Sequence, residues 1–196
     1  MRKILSLVTA GVLLVVLSGC AGGDDLADQY RSGNQQNYVA GNGAILEIVP
    51  DDREDPVEFS GQLDSGSEVS SSDYEGEVLV VNFWYASCPP CRAEAADLEA
   101  VNAAFADQGV SFLGVNVRDD QAAAVAFAKK FGVTYPSLLD QEGQVLLAFS
   151  GVVAPNAVPT TLVLDREFRV AARILGQIPD RSILEGLIDR VLAEQP

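Results

Sequence analysis

The chain has 196 residues, 48% of them hydrophobic, and 13 basic against 28 acidic side chains for a net charge of −15. It can therefore bury one sizeable core, but it suits neither nucleic acid nor bare anionic lipid as a partner. It contains no histidine, which removes Ser-His and Cys-His nucleophilic machinery and every histidine-bearing metal site.

At the N-terminus Arg2 and Lys3 precede an apolar run from Ile4 to Leu17, then Leu17-Ser18-Gly19-Cys20. Basic, apolar and small-residue regions in that order describe a signal peptide over residues 1–19, and the run is shorter than the roughly 20 residues a membrane-spanning helix needs. Leu17-Ser18-Gly19-Cys20 also resembles a bacterial lipobox, which implies cleavage before Cys20 and lipidation of its thiol, anchoring the product to the outer face of the cell membrane. The other reading is a secretory signal that happens to contain a cysteine.

Loss of residues 1–19 leaves 11 bases against 28 acids, a net charge of −17. Thirteen of those acids, against two bases, lie between Asp24 and Glu75, where solubility is sufficient explanation. With Cys20 lipidated, only Cys88 and Cys91 remain as free thiols, so no long-range structural disulfide can form. Residues 20–43 are rich in Gly, Asp, Gln and Asn and read as a flexible acidic tether, leaving 44–196 as one folded domain.

Within that domain Val57, Phe59 and Leu63, then Asp64-Ser65-Gly66-Ser67 and Glu68-Val69-Ser70, predict a hairpin closed by a glycine-containing turn. Val78 to Tyr85 is a nearly unbroken run of β-favouring residues, as a central strand covered on both faces requires. Pro89-Pro90 stops it and suits the first turn of a helix, where a missing N–H costs nothing. Cys91, Ala95, Leu98, Val101 and Phe105 recur at spacings of three and four, forming an inward stripe that ends before Gly109.

Val110 to Val117 reads as a second strand, and Gln121 to Phe131 as a helix ended by Gly132. Thr160 to Asp165 is a third strand, with Arg169 to Ile174 beside it. A last helix is capped by Asp180 or Ser182, with Ile183, Leu184, Leu187, Ile188, Val191 and Leu192 as its apolar face. The alternation describes a three-layer α/β domain without internal repeats.

Cys88-Pro89-Pro90-Cys91 thus falls between a buried strand and a helix. Cys88 sits at the positive end of the helix dipole, where a thiolate is favoured, and is expected to be the exposed, attacking sulfur. Cys91, on the buried stripe, is expected to resolve the mixed disulfide. A zinc site would need a second ligand pair, which the sequence lacks, and a copper carrier would need a histidine. Peroxidase chemistry would need a threonine and arginine set that Trp84-Tyr85-Ala86-Ser87 does not supply. No cofactor is called for.

Val80-Val81-Asn82-Phe83-Trp84, then Cys88-Pro89-Pro90-Cys91-Arg92-Ala93-Glu94, with Val158-Pro159-Thr160-Thr161 downstream, resembles the TlpA/ResA branch of the thioredoxin superfamily from about Val57 to Leu192. The resemblance implies a thioredoxin-like fold with an N-terminal β-hairpin extension and an insertion after the second core strand. It also implies reduction of disulfides in exported proteins, with cytochrome c maturation as the best-known setting. The partners implied are exported disulfide-containing proteins such as apocytochrome c and an integral-membrane thiol donor of the CcdA/DsbD kind, served by a monomer.

By the same resemblance Pro159 is cis after Val158 and faces the cysteine pair, Trp84 shields the site, and Pro89, Pro90, Val158 and Pro159 shape it. Glu94 matches the family's active-site glutamate and is either a proton acceptor for Cys91 or a charge complementing the helix dipole. The strand acid common in thioredoxins is replaced by Asn82. Ser87, Ala96 and Phe168 replace the family's usual tryptophan, proline and glycine, which bears on groove shape rather than on the redox step.

Because Pro89 and Pro90 withdraw two N–H groups from Cys88, only a modest lowering of its thiol pKa from about 8.5 is expected, favouring a reductant. An exported disulfide oxidase would share every one of these residues, and a non-catalytic surface lipoprotein would keep the cysteines as a local clip.

Overall fold

The computed structural model describes residues 38–40, 44–154 and 157–194. The expected signal peptide, the expected lipidation site Cys20 and all of the expected tether except residues 38–40 lie outside them. No helix among the described residues is long and apolar enough to cross a membrane.

Two small strands, β1 (Tyr38–Ala40) and β2 (Ile45–Glu47), come first. They are followed by the hairpin β3 (Ser60–Gln62) and β4 (Glu68–Ser70), then β5 (Val78–Trp84) and helix α1 (Pro89–Phe105). Next come β6 (Val110–Asn116), α2 (Gln121–Phe131), β7 (Ser137–Leu139) and the short α3 (Gln144–Ala148). The chain closes with β8 (Thr160–Leu164), β9 (Val170–Leu175) and α4 (Arg181–Leu192).

The main sheet runs β1-β2-β9-β8-β5-β6-β7. β5 pairs in parallel with β6 and antiparallel with β8, which makes it central, as its uninterrupted apolar run requires. All seven of its residues are buried. Period-2 alternation sends Val78 and Val80 into a core with Leu98, Val101 and Phe105 of α1 and Leu184, Leu187 and Ile188 of α4. Leu79, Val81 and Phe83 enter the opposite core with Phe59, Val69, Leu138, Val145 and Phe149. Each such side chain contributes about 1.5–3 kcal/mol of burial energy.

The three-layer α/β architecture is therefore present, with a thioredoxin-like fold. Its two outer layers differ, because α1 and α4 lie on one face while the β3–β4 hairpin and α3 cover the other. The hairpin is anchored by an isolated bridge from Leu63 to Leu138 and by the Asp64 N–H, which donates to the Ser137 carbonyl at 2.7 Å. Its turn needs a positive φ, which Gly66 supplies at 90°.

Four short elements, β1, β2, β7 and α3, are absent from the sequence reading. Residues 38–40, assigned to the tether, form β1, which pairs with β2, and β2 extends the sheet beside β9. β7 and α3 have no counterpart in that reading, because three- and five-residue elements are too short to show a period and depend on the neighbours that cover them. α1 continues through Ala96 to Phe105, in keeping with alanine where the family has a helix-kinking proline.

At the β8–β9 turn Phe168 takes φ 61°, the left-handed region a glycine would fill without cost, while its ring packs against the second core. Below that turn Arg53, almost fully buried, reaches Asp165 at 2.8 Å and also pairs with Glu194. It fastens the segment before the hairpin to the end of the chain's last helix.

Candidate active site

The site is assembled where β5 ends and α1 begins. The backbone turns after Trp84, with Cys88 N–H donating to the Tyr85 carbonyl at 3.1 Å, and α1 starts at Pro89 with Cys88 as its N-cap. Cys88 and Cys91 are joined in a disulfide with S–S 2.08 Å and Cα–Cα 5.3 Å. The Cys91 N–H points at Cys88 Sγ, 3.2 Å away. Pro89 and Pro90 donate nothing, so this is the N–H of the first helical turn that can stabilise negative charge on Cys88.

The expected contrast in exposure is absent from this oxidised state. Cys88 is 1% and Cys91 2% exposed, both inside a cluster with Trp84, Ala95, Ala124 and Phe127. The disulfide holds Cys88 Sγ beside Cys91 and its N–H. The neighbouring Ser87 and Pro89 are exposed, so the bond lies one residue beneath the surface. Val158 packs against the same cluster, and the Val158–Pro159 bond is cis.

Trp84 closes the floor, its indole packed against Phe127 at 4.3 Å between centroids with the planes tilted by 38°. Strand register makes room for it: Asn82 lies opposite Gly114, and Gly114 opposite Ser137. A Cβ on Gly114 would overlap Ser137 Oγ and come within 2.8 Å of Trp84 Nε1. Gly114→Ala is therefore expected to destabilise the fold by roughly 1–3 kcal/mol and to shift the fluorescence of Trp84, the chain's only tryptophan. Thermal unfolding followed at the tryptophan emission checks both, and an unchanged midpoint and spectrum would mean that the indole does not depend on the missing side chain.

Glu94, one turn beyond Cys91, is wholly buried. It is the sixth residue of α1, past the first turn where a dipole-complementing charge acts, which weakens that alternative. Its Oε1 accepts from Asn82 Nδ2 at 3.1 Å and its Oε2 from the Ile178 N–H at 2.9 Å. Asn82 also donates to Thr161 Oγ1 at 3.1 Å, directly across the β5–β8 register. Burial pushes the Glu94 carboxyl up to about 7, against the two hydrogen bonds that favour its charged form. Asn82 thus stands where an acid would compete with Glu94 and instead donates to it.

Sequence reasoning missed the loop that holds the approach to Cys88. Asn116, at the end of β6 and fully buried, accepts the N–H groups of Arg118 and Asp119 and donates to Asp119 Oδ2 at 2.9 Å. Asp119 Oδ2 in turn accepts the Ala86 N–H at 2.6 Å, and the Arg118 guanidinium lies 4.1 Å over the Tyr85 ring. An Asn-x-x-Asp at a strand end was the available signal, but nothing in it says which backbone it would hold.

The family model described as Redoxin matches residues 49–188. The chain is 29% identical over 187 residues to the thiol-disulfide oxidoreductase ResA of Geobacillus thermodenitrificans, covering 95% of this chain and 97% of that protein. Against the ResA of Geobacillus kaustophilus it is 35% identical over 118 residues, covering 60% of this chain and 66%, just under two thirds, of that relative. The crystal structure of a DsbF homologue from Corynebacterium diphtheriae superposes with a TM-score of 0.70 at 33% identity, covering 81% of this chain and 99% of that one.

Proposed function

Since the chain belongs to the Redoxin family, as a TlpA/ResA-like thiol-disulfide oxidoreductase, we propose that it works outside the cytoplasm as a reductant of disulfides in exported proteins. The observation that carries this reading is a closed Cys88–Cys91 disulfide at the N-terminus of α1, with the buried carboxyl of Glu94 one turn behind it. In the reduced protein the Cys88 thiolate attacks a client disulfide, and the client's leaving sulfur takes up a proton. Cys91 then loses its proton to Glu94 and attacks Cys88, which expels the second client sulfur as a thiolate and restores the internal disulfide; that thiolate takes up the second proton, the one Glu94 received or its equivalent from water. Two electrons and two protons pass to the client.

The remaining parts of the reading follow from the N-terminal sequence and from the family resemblance. Lipidation at Cys20 tethers the domain to the outer face of the membrane through residues 20–37. Apocytochrome c is a fitting client, and an integral-membrane thiol donor of the CcdA/DsbD kind reopens the disulfide. A monomer suffices, because one site meets donor and client in turn.

The direction of electron flow rests on the Cys88 sulfur accepting a single N–H. A weakly stabilised thiolate leaves the dithiol energetically uphill, and so reducing. Equilibration of the chain with glutathione is expected to give a potential more negative than about −200 mV, and a value near −120 mV would assign an oxidase instead.

A further inference from the structure

The described residues carry ten cationic side chains, and six of them are tied to carboxylates or to backbone carbonyls. The four that make neither kind of bond among the described residues are Arg92, Arg118, Lys129 and Lys130. Three of these rest on aromatic rings instead. Arg118 lies 4.1 Å above Tyr85, while Arg92 and Lys130 lie 5.9 and 5.4 Å from the Phe131 centroid. Tyr85 and Phe131 both pack against the cluster that contains the disulfide, Phe131 through Phe127 at 4.5 Å.

Arg92 directly follows Cys91, and Arg118 sits on the residue three before Cys88. Both are exposed. The carboxylates close in sequence are already engaged: Glu94 is buried and held by Asn82 and the Ile178 N–H, Asp119 holds the Ala86 N–H, Asp120 the Ala123 N–H, and Glu99 of α1 holds Thr134. Asp97, also on α1 and exposed, makes no such bond among the described residues and is a competing charge.

We propose that Arg92 and Arg118 form a cationic rim around the disulfide that selects clients carrying Asp or Glu beside their own cysteines. This rests on the reading of the site as a disulfide reductant. A guanidinium stacked on a ring is already positioned, so less freedom is lost when its fork meets a carboxylate. The chain's net charge of −15 opposes acidic clients at long range. At physiological ionic strength fields are screened beyond about 8 Å, so the charges at the contact decide the orientation of the client.

The test uses the full chain, reduced, and three peptides of one sequence with an internal disulfide flanked by Glu, Gln or Lys. In a single turnover the Cys88/Cys91 dithiol is oxidised to its disulfide as the peptide disulfide takes up two electrons and two protons. The second-order rate constant is expected to be about tenfold higher for the Glu than for the Lys peptide. That ratio is expected to fall to about two or less in the Arg92→Gln/Arg118→Gln double variant and to approach one in about 1 M salt.

Arg190→Gln removes from α4 a charge that is paired with Glu47 of β2 and is expected to keep the full ratio. Equal rates, a preference for Lys, or a double variant that retains the ratio would each overturn the rim. Failure of all three peptides to be reduced would remove the reductase reading along with it.

Discussion

Replacing Cys88 by serine is expected to lower the rate of client disulfide reduction on the order of a thousandfold or more, because the nucleophile acts with its partner as a unit. Cys91→Ser is expected to lose turnover equally but to leave the first step intact, so that a mixed disulfide through Cys88 accumulates. The two variants fail differently because Cys88 caps the helix and receives the Cys91 N–H, whereas Cys91 lies on the buried stripe of α1. Turnover of an insulin-type substrate and non-reducing electrophoresis read the two steps. Accumulation of the adduct in the Cys88→Ser protein rather than in Cys91→Ser would exchange the assigned roles.

The burial of both sulfurs adds a kinetic condition. At 1% exposure, Cys88 in the disulfide must be reached past Ser87 and Pro89, so any thiol that reduces it needs either local opening or an approach along the Val158–Pro159 side. The same variants, assayed for the reduced protein, bypass that condition.

Glu94→Gln is expected to change both the pH dependence of stability and the resolving step. In the folded chain the carboxyl is pushed up from 4.5 to about 7 by burial. Between those values the native state holds a proton that the unfolded chain has released, so stability falls as pH rises from about 4.5 through about 7. The loss above that window is about 3 kcal/mol, because each pH unit between the two values is worth about 1.36 kcal/mol. Glutamine stays neutral throughout, so the wild-type minus variant stability difference should drift by that amount between pH 4.5 and pH 8. Urea unfolding of the oxidised proteins at both pH values measures it, and parallel pH profiles would show that the buried carboxyl does not titrate as described.

The proposed role of Glu94 as proton acceptor for Cys91 makes a kinetic prediction: release of the client from a preformed mixed disulfide is expected to slow about 100-fold in Glu94→Gln. In the wild type that release should weaken as pH falls below about 7, where the carboxyl fills with a proton of its own. A residue needed only for packing would change the stability profile and leave the pH dependence of release untouched.

Much of this was open to sequence reasoning wherever one short segment carries its own signal. The unbroken run Val78 to Tyr85 could only be a strand covered twice, since half-exposed strands alternate, and it occupies the sheet centre. The stripe from Cys91 to Phe105 named five side chains that are all buried, and Gly132 ended α2 where its φ of 73° required. Val158-Pro159 was expected to be cis by resemblance, and it is.

What the sequence by itself determined is the local chemistry: two thiols at a strand-to-helix junction, the absence of histidine, and the order of the long elements. Each follows from spacing along one segment, where covalent geometry and hydrophobic period leave few choices. Only the tertiary structure decided that Glu94 is buried and held by Asn82 and Ile178, that Gly114 makes room for Trp84, and that Asp119 grips the Ala86 N–H. It also decided that the oxidised Cys88 lies under the surface and that Tyr38–Ala40 belongs to the sheet. Those outcomes depend on residues brought together across strands and helices, where desolvation and hydrogen-bond partners are properties of the packed whole rather than of any stretch of chain.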